Sequence, residues 1–278
     1  MMTSFTPLLK KAKENQYAIG AFNVYNYETI RAAVDAVKET GQSAIVAFGK
    51  KYLANMNLKE VANLFRTMTV GLKTEIVLHL DHCDDINTII DAIDAGFTSV
   101  MYDGSKLPFE ENLENTKKVV EYAHKYGVSV EAELGALELG TNSNEDEGET
   151  IYTDPEEARI FVEKTNVDAL AVSIGTVHGL YKGEPKISVE RLKEIKANTD
   201  LPLVLHGGSG TPEKTLEACI REGITKINVN TEISHSIVSM FKDTLAEDDE
   251  VHFSRLSVLA VKTAKERIIE HMKMFGNV

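Results

Sequence analysis

Short apolar runs alternate with longer amphipathic ones along most of the chain. The apolar runs are Ala18–Val24, Ala44–Phe48, Ile76–Leu80, Thr98–Tyr102, Val128–Leu134, Ala169–Ile174, Leu203–His206 and Lys226–Val229. They are β-branched, bounded by Gly, Asn, Asp or Pro, and mostly too short for helices, so the pattern predicts eight strands. Between them Glu28–Thr40, Asn112–Tyr126, Pro155–Lys164 and Pro212–Glu222 read as helices. Asp154–Pro155 and Thr211–Pro212 read as N-cap and first-turn pairs. Eight strand–helix alternations in 278 residues point to an α/β fold, a single (β/α)8 TIM barrel over residues 1–278. Thr231–Val278 adds C-terminal helices, broken at Ala246–Glu250. Two connections break the rhythm. Glu138–Thr153 is polar, acidic and too long for a routine connection, which leaves a solvated loop or a lid beside a site. Gly175–Ile187 is a second such stretch.

Composition narrows the partners. A formal net charge of −13 argues against nucleic acid or an anionic membrane as the main partner, while a local site could still hold a small anion. Cys83 and Cys219 are far apart and lack CxxC spacing, so no disulfide framework is implied. Met1–Lys11 carries no cleavage signature, and no apolar stretch is long enough to span a bilayer. The expected setting is the cytoplasm.

In such a barrel the reactive groups stand where strands end. His82 follows the third strand, His178 the sixth, and His206 ends the seventh. Three imidazoles with an open fourth position form a catalytic zinc arrangement, and the open position can polarise a substrate oxygen. Asp81 stands ready to orient a histidine or to act as general acid and base. Asp103 and Glu133 offer a second metal position or partners for the histidines. His79 shares a strand face with Asp81 and reads as an interior support. His124, His235, His252 and His271 fall in helical segments and read as surface groups. Gly207-Gly208-Ser209-Gly210 precedes a helix, where backbone N–H groups and the helix end favour an anion. Asn23, Asn228 and Thr231 add polar groups at the ends of the first and eighth strands. The residues alone describe metal-assisted carbon-acid chemistry on a sugar phosphate, and do not separate an aldolase from an isomerase or epimerase.

Six ordered motifs go further: LHLDH (Leu78–His82), SVMYDGS (Ser99–Ser105), SVEAELG (Ser129–Gly135), GTVHGLYKGEP (Gly175–Pro185), LPLVLHGGSG (Leu201–Gly210) and KINVNTE (Lys226–Glu232). Together they resemble class II fructose- and tagatose-bisphosphate aldolases, from about Tyr17 to the C-terminus. The resemblance implies Zn2+ on His82, His178 and His206, with Asp103 and Glu133 near an alternative, inward metal position. It implies that Asp81 handles the proton on the C4 hydroxyl. Gly179, Gly207, Gly208, Ser209, Asn228, Val229, Asn230 and Thr231 would contact dihydroxyacetone phosphate, with a monovalent cation (Na+ or K+) close by. The implied reaction is reversible aldol cleavage of a ketose 1,6-bisphosphate to dihydroxyacetone phosphate and an aldehyde through a zinc enediolate, in a homodimer or homotetramer.

Three departures bear on the substrate. Where relatives usually read GGQEDD after SVEAELG, this chain reads ALELGTNSNEDEG, with Glu138, Glu145, Asp146 and Glu147 as candidates for the loop acid. Gly49, followed by Lys50 and Lys51, stands where many relatives have Ser or Thr. Phe253-Ser254-Arg255 replaces DPR, with the arginine offset by one. These leave open fructose against tagatose stereochemistry, the second phosphate, a different ketose 1-phosphate (deoxy, sulfonated or oxidised), and a non-catalytic sugar-phosphate binder.

Overall fold

The computed structural model describes residues 1–139, 141 and 151–276. Its strands are β1 (Ile19–Val24), β2 (Ala44–Gly49), β3 (Ile76–Cys83), β4 (Ser99–Tyr102), β5 (Ser129–Leu134), β6 (Glu138–Leu139), β7 (Ala169–Val172), β8 (Val177–His178), β9 (Leu203–Leu205) and β10 (Ile224–Val229). Eight of them close a barrel in the order β1-β10-β9-β7-β5-β4-β3-β2. β6 and β8 pair with each other separately, Leu139 opposite His178. The barrel strands match the eight apolar runs, and β3 extends past the expected end to take in Asp81 and His82.

Each strand alternates, and both of its faces are buried. Phe22, Val46, Leu78, Val100, Val130, Leu170, Leu205 and Ile227 face outward into one continuous core beneath the helices. Burying one such side chain is worth about 1.5–3 kcal/mol relative to exposure. The helices that cover them are α1 (Phe5–Glu14), α2 (Tyr27–Thr40), α3 (Leu58–Met68), α4 (Ile86–Ala95), α5 (Phe109–Ala123), α6 (Pro155–Thr165), α7 (Val189–Asn198), α8 (Glu213–Arg221), α9 (Thr231–Glu247) and α10 (Phe253–Met274). None of the described helices is long and apolar enough to cross a membrane.

Local signals account for several helix starts. Asp154 caps α6 through the Glu156 and Glu157 N–H groups, with Pro155 in the first turn. Thr211–Pro212 does not behave as expected: α8 opens at Glu213 with Pro212 at its N-cap. The Thr211 hydroxyl instead donates to the Gly207 carbonyl at 2.9 Å, tying down the glycine-rich loop.

Two features were not foreseen. Helix α1 buries Phe5, Leu8, Leu9 and Ala12 against Ile19, Ala21, Ile45, Val77, Ala169, Ala171 and Val204, which plugs the N-terminal end of the barrel. His271 is a second correction. It is buried in the last turn of α10, because its Nε2 bonds Glu232 and its ring packs on Phe275.

Candidate metal centre and active site

Neighbouring residues of a strand point to opposite faces, yet Asp81 and His82 both reach the mouth. The pairing of β3 with β4 steps from Leu80–Val100 to Cys83–Tyr102, so β3 carries one extra residue. His82 absorbs it with a left-handed backbone, φ 45°. A bulge of this kind re-aims a side chain. A left-handed non-glycine residue costs roughly 1–2 kcal/mol, a strain the surrounding contacts must offset.

The three histidines converge. His82, His178 and His206 each offer a nitrogen, all within 4.8 Å of one another. His206 Nδ1 lies 2.8 Å from His82 Nε2. The far nitrogens of both rings are held by carboxylates: His82 Nδ1 donates to Asp103 at 2.9 Å, and His206 Nε2 donates to Glu131 at 2.9 Å. These bonds fix the tautomers so that the remaining lone pairs meet in the centre. Two lone pairs that close repel unless they share a proton or a cation. His178 Nε2 is buried and without a hydrogen-bond partner. Two oriented lone pairs and one orphaned nitrogen around one point fit a bound metal ion.

Charge around the centre supports this. Burial disfavours a charged His82, but Asp81, Asp103 and Glu133 outweigh it and raise its pKa to about 9. Burial and the charge of His82 lower His206 and push His178 well below the usual histidine range. The cage therefore takes one positive charge and resists more. Burial would raise the Asp81 carboxyl, yet His82 and Lys226 hold it well below the ordinary carboxylate range. Burial and the nearby Asp103 raise Glu133 well above that range.

Asp81 is fixed from two sides. Asn23 donates to one of its oxygens at 2.7 Å and Asn228 to the other at 3.1 Å. Beside it a small pocket is lined by Asn23, Asp81, His82, His178, Gly179, His206, Gly207, Ser209, Asn228, Asn230 and Thr231. The structure thus gathers most of the expected contacts and separates two from them. The Gly208 N–H donates to the Asn228 carbonyl, and Val229 turns its side chain into the outer core. Asp103 and Glu133 stand behind His82 and form a second candidate ligand group with it. Gly207 is left-handed, φ 74°, and a Cβ there would meet the Val177 carbonyl at 2.3 Å, so only glycine lets the loop pass under the His178 segment.

Of the candidates for the loop acid, Glu145, Asp146 and Glu147 lie outside the described residues. Glu138 belongs to β6, but its side chain is not among those described. Arg255 is exposed at the start of α10 and pairs with Asp248 at 3.6 Å.

Comparison with known proteins decides the family. The model for fructose-bisphosphate aldolase class-II matches residues 3–278. The chain belongs to the class II fructose-bisphosphate aldolase family. A fructose-bisphosphate aldolase of Staphylococcus aureus is 42% identical over 281 aligned positions, covering 99% of this chain and 97% of the relative. Among solved structures, the YdjI aldolase of Escherichia coli K12 superposes with a TM-score of 0.89 at 33% identity over 100% of this chain and 98% of that one. A putative fructose-1,6-bisphosphate aldolase from Coccidioides immitis gives 0.89 at 30% identity, covering 98% and 95%. The chain is thus an enzyme of a metal-dependent lyase family that acts on sugar phosphates.

Within this aldolase, sequence reasoning left Glu131, Lys226 and Tyr52 without a role. Lys226 is fully buried and reaches Glu131 at 2.8 Å, beneath His206. Lys226 holds the Glu131 carboxyl down to about 2 against the effect of burial. The Tyr52 hydroxyl accepts from Asn230 at 3.0 Å. Strand alternation held a signal: Glu131 shares a face with Glu133, and Lys226 with Asn228.

Proposed function

We propose that residues 1–278 work as one barrel domain that reversibly cleaves a ketose phosphate to dihydroxyacetone phosphate and an aldehyde. The observation that carries this is the convergence of three histidine nitrogens within 4.8 Å beside a twice-anchored Asp81 and a glycine-rich loop. His82 Nε2, His206 Nδ1 and a nitrogen of His178 would hold Zn2+. When bound, the zinc supplies Lewis-acid polarisation of the substrate's oxygens.

The remaining work falls to the chain. Asp81, with its depressed pKa, is ionised at neutral pH and accepts the C4 hydroxyl proton during cleavage. It returns that proton during synthesis. Asn23 and Asn228 keep its oxygens aimed, which places the proton acceptor before substrate arrives. The phosphate would lie against Gly179, Gly207, Ser209, Asn230 and Thr231, at the N-terminal end of α9, where the helix dipole favours an anion. A monovalent cation beside that phosphate, a cytoplasmic setting and a homodimer or homotetramer complete the reading.

A second reading changes the aldehyde half of the substrate. The offset of Arg255 from the family's DPR arginine, the altered loop after β5 and the pairing of Arg255 with Asp248 motivate a ketose 1-phosphate without a second phosphate. The test is a panel of fructose 1,6-bisphosphate, tagatose 1,6-bisphosphate and ketose 1-phosphates with zinc-loaded enzyme. A preference for bisphosphates supports the first reading, and a preference for 1-phosphates the second. Binding with neither cleavage nor proton exchange on dihydroxyacetone phosphate would leave only a sugar-phosphate binder.

A further inference from the structure

The loop proposed to hold the phosphate is fastened from outside the barrel by two residues with no assigned role. Glu232 opens α9, and its backbone N–H donates to the Ser209 hydroxyl at 3.3 Å, as does that of Asn230. The Gly210 N–H, at the far end of the same loop, is among the groups that hold the Glu232 carboxylate low. Gly210 is left-handed, φ 74°, so the loop turns sharply where Glu232 grips it. Glu232 therefore holds two consecutive loop residues, one through its main chain and one through its side chain.

The other end of Glu232 is held by His271. Nε2 of His271 lies 2.9 Å from Glu232 Oε2, and Nδ1 lies 2.9 Å from the Arg267 carbonyl oxygen. A backbone carbonyl faces one ring nitrogen and a carboxylate the other, so the ring is held at both edges and cannot turn without losing a partner. The imidazole packs on Phe275, whose carbonyl accepts from the Ala18 N–H just before β1. The last turn of α10 is thereby pinned to the barrel wall.

We propose that Glu232 and His271 are positioning residues that hold the Ser209–Gly210 turn in its anion-binding shape. The proposal rests on the reading of that loop as the phosphate site. Neither residue lies in the lining of the pocket beside Asp81, so they act through the loop and not on the substrate.

The experiment compares wild type, His271→Phe and Glu232→Gln, all zinc-loaded. It measures inorganic phosphate affinity by calorimetry, zinc affinity by chelator competition, and kcat and KM separately. His271→Phe keeps a ring beside Phe275 but removes both ring nitrogens. Each single variant is expected to weaken phosphate about tenfold and to raise KM by a similar factor. Zinc affinity and kcat should stay within about twofold. The double variant should be no worse than the weaker single one, because the pair acts as a unit. Phosphate affinity unchanged in both folded variants, or phosphate and zinc lost in equal measure, would overturn the proposal. If one variant fails to fold, the other decides. If wild type itself binds no phosphate, the reading of the loop fails first and the proposal with it.

Discussion

The two ends of the barrel are built from the same strands and behave as opposites. At the N-terminal end the inward positions are Ile19, Ala21, Ile45, Val77, Ala169, Ala171 and Val204, sealed by the apolar stripe of α1. Towards the other end of the barrel the inward positions become Asn23, Asp81, Glu131, Glu133, His206, Lys226 and Asn228. At the first end the hydrophobic effect does the work and nothing needs a partner. At the second, burial works against every charged group, and stability depends on pairing them. The pairing is incomplete: His79 Nε2, Glu133 Oε2, Thr176 Oγ1, His178 Nε2 and Asn228 Oδ1 are buried without a hydrogen-bond partner, while Gln42 Oε1 is a further such atom away from them. Unsatisfied groups concentrated at one end mark where binding energy is held in reserve for a ligand. The same alternation thus gives one end that holds the fold together and another that does chemistry.

The difference is broken most completely by removing the metal. Chelation with EDTA, or His206→Ala, is expected to lower kcat/KM by about a thousandfold or more, since such a site accelerates the reaction mainly by electrostatic stabilisation. Zinc or cobalt should restore the chelated enzyme but not the variant. Activity that survives complete chelation, with zinc absence verified by mass spectrometry, would dissolve the contrast. Asp81→Asn should be next, lowering kcat by about a hundred- to ten-thousandfold while zinc stoichiometry stays at the wild-type value. Loss of zinc in that variant would mean that Asp81 supports the metal and not the proton.

The contrast also explains what could be read without coordinates. The barrel was legible because eight buried strands of a parallel sheet are apolar on both faces and stand out as short runs. The three histidines were legible because barrel chemistry collects at strand ends, and LHLDH, GTVHG and VLHGG put a histidine at each. The α1 plug was missed although Phe5, Leu8, Leu9 and Ala12 follow helical spacing. A ten-residue amphipathic segment says nothing about which surface it covers, and here the contact is with strands as far along the chain as β10. The left-handed His82 was invisible for another reason: alternation predicts Asp81 and His82 on opposite faces, and only the bulge against β4 reverses that. His271 shows the same failure at longer range. Its spacing on α10 is that of an ordinary helical histidine, and it is the partner Glu232, 39 residues earlier, that draws it inside. Gly208 and Val229 were grouped with their neighbours by motif, whereas the structure divides them by which way each residue turns.

Damage to the opposite end should leave chemistry alone. Phe5→Ala removes a fully buried ring from the plug and is expected to cost about 3–5 kcal/mol of stability. Measured by urea unfolding, that loss should come with unchanged zinc affinity and unchanged kcat at 25 °C. If kcat fell in parallel with stability, the two ends would be mechanically one unit and the distinction between them would be wrong.

The smallest expected effect separates the ends by pH. The carboxyl of Glu232 is held below the usual glutamate range by its bond to His271, with burial opposing. A group whose folded pKa is depressed adds stability above its unfolded pKa, and that stability fades as pH falls through the folded value. Glu232→Gln should therefore lower Tm most near neutral pH, and the gap to wild type should close below about pH 4. Phe5 packs on the buried His79 ring, with 5.8 Å between centroids, and burial lowers that imidazole to about 4, so the Phe5→Ala deficit should run parallel to wild type above about pH 5. Differential scanning fluorimetry from about pH 2 to about pH 8 on the three proteins covers the window in which the Glu232 carboxylate takes up its proton. A Glu232→Gln deficit that persists undiminished in acid would show that the carboxylate packs without carrying its charge into the fold.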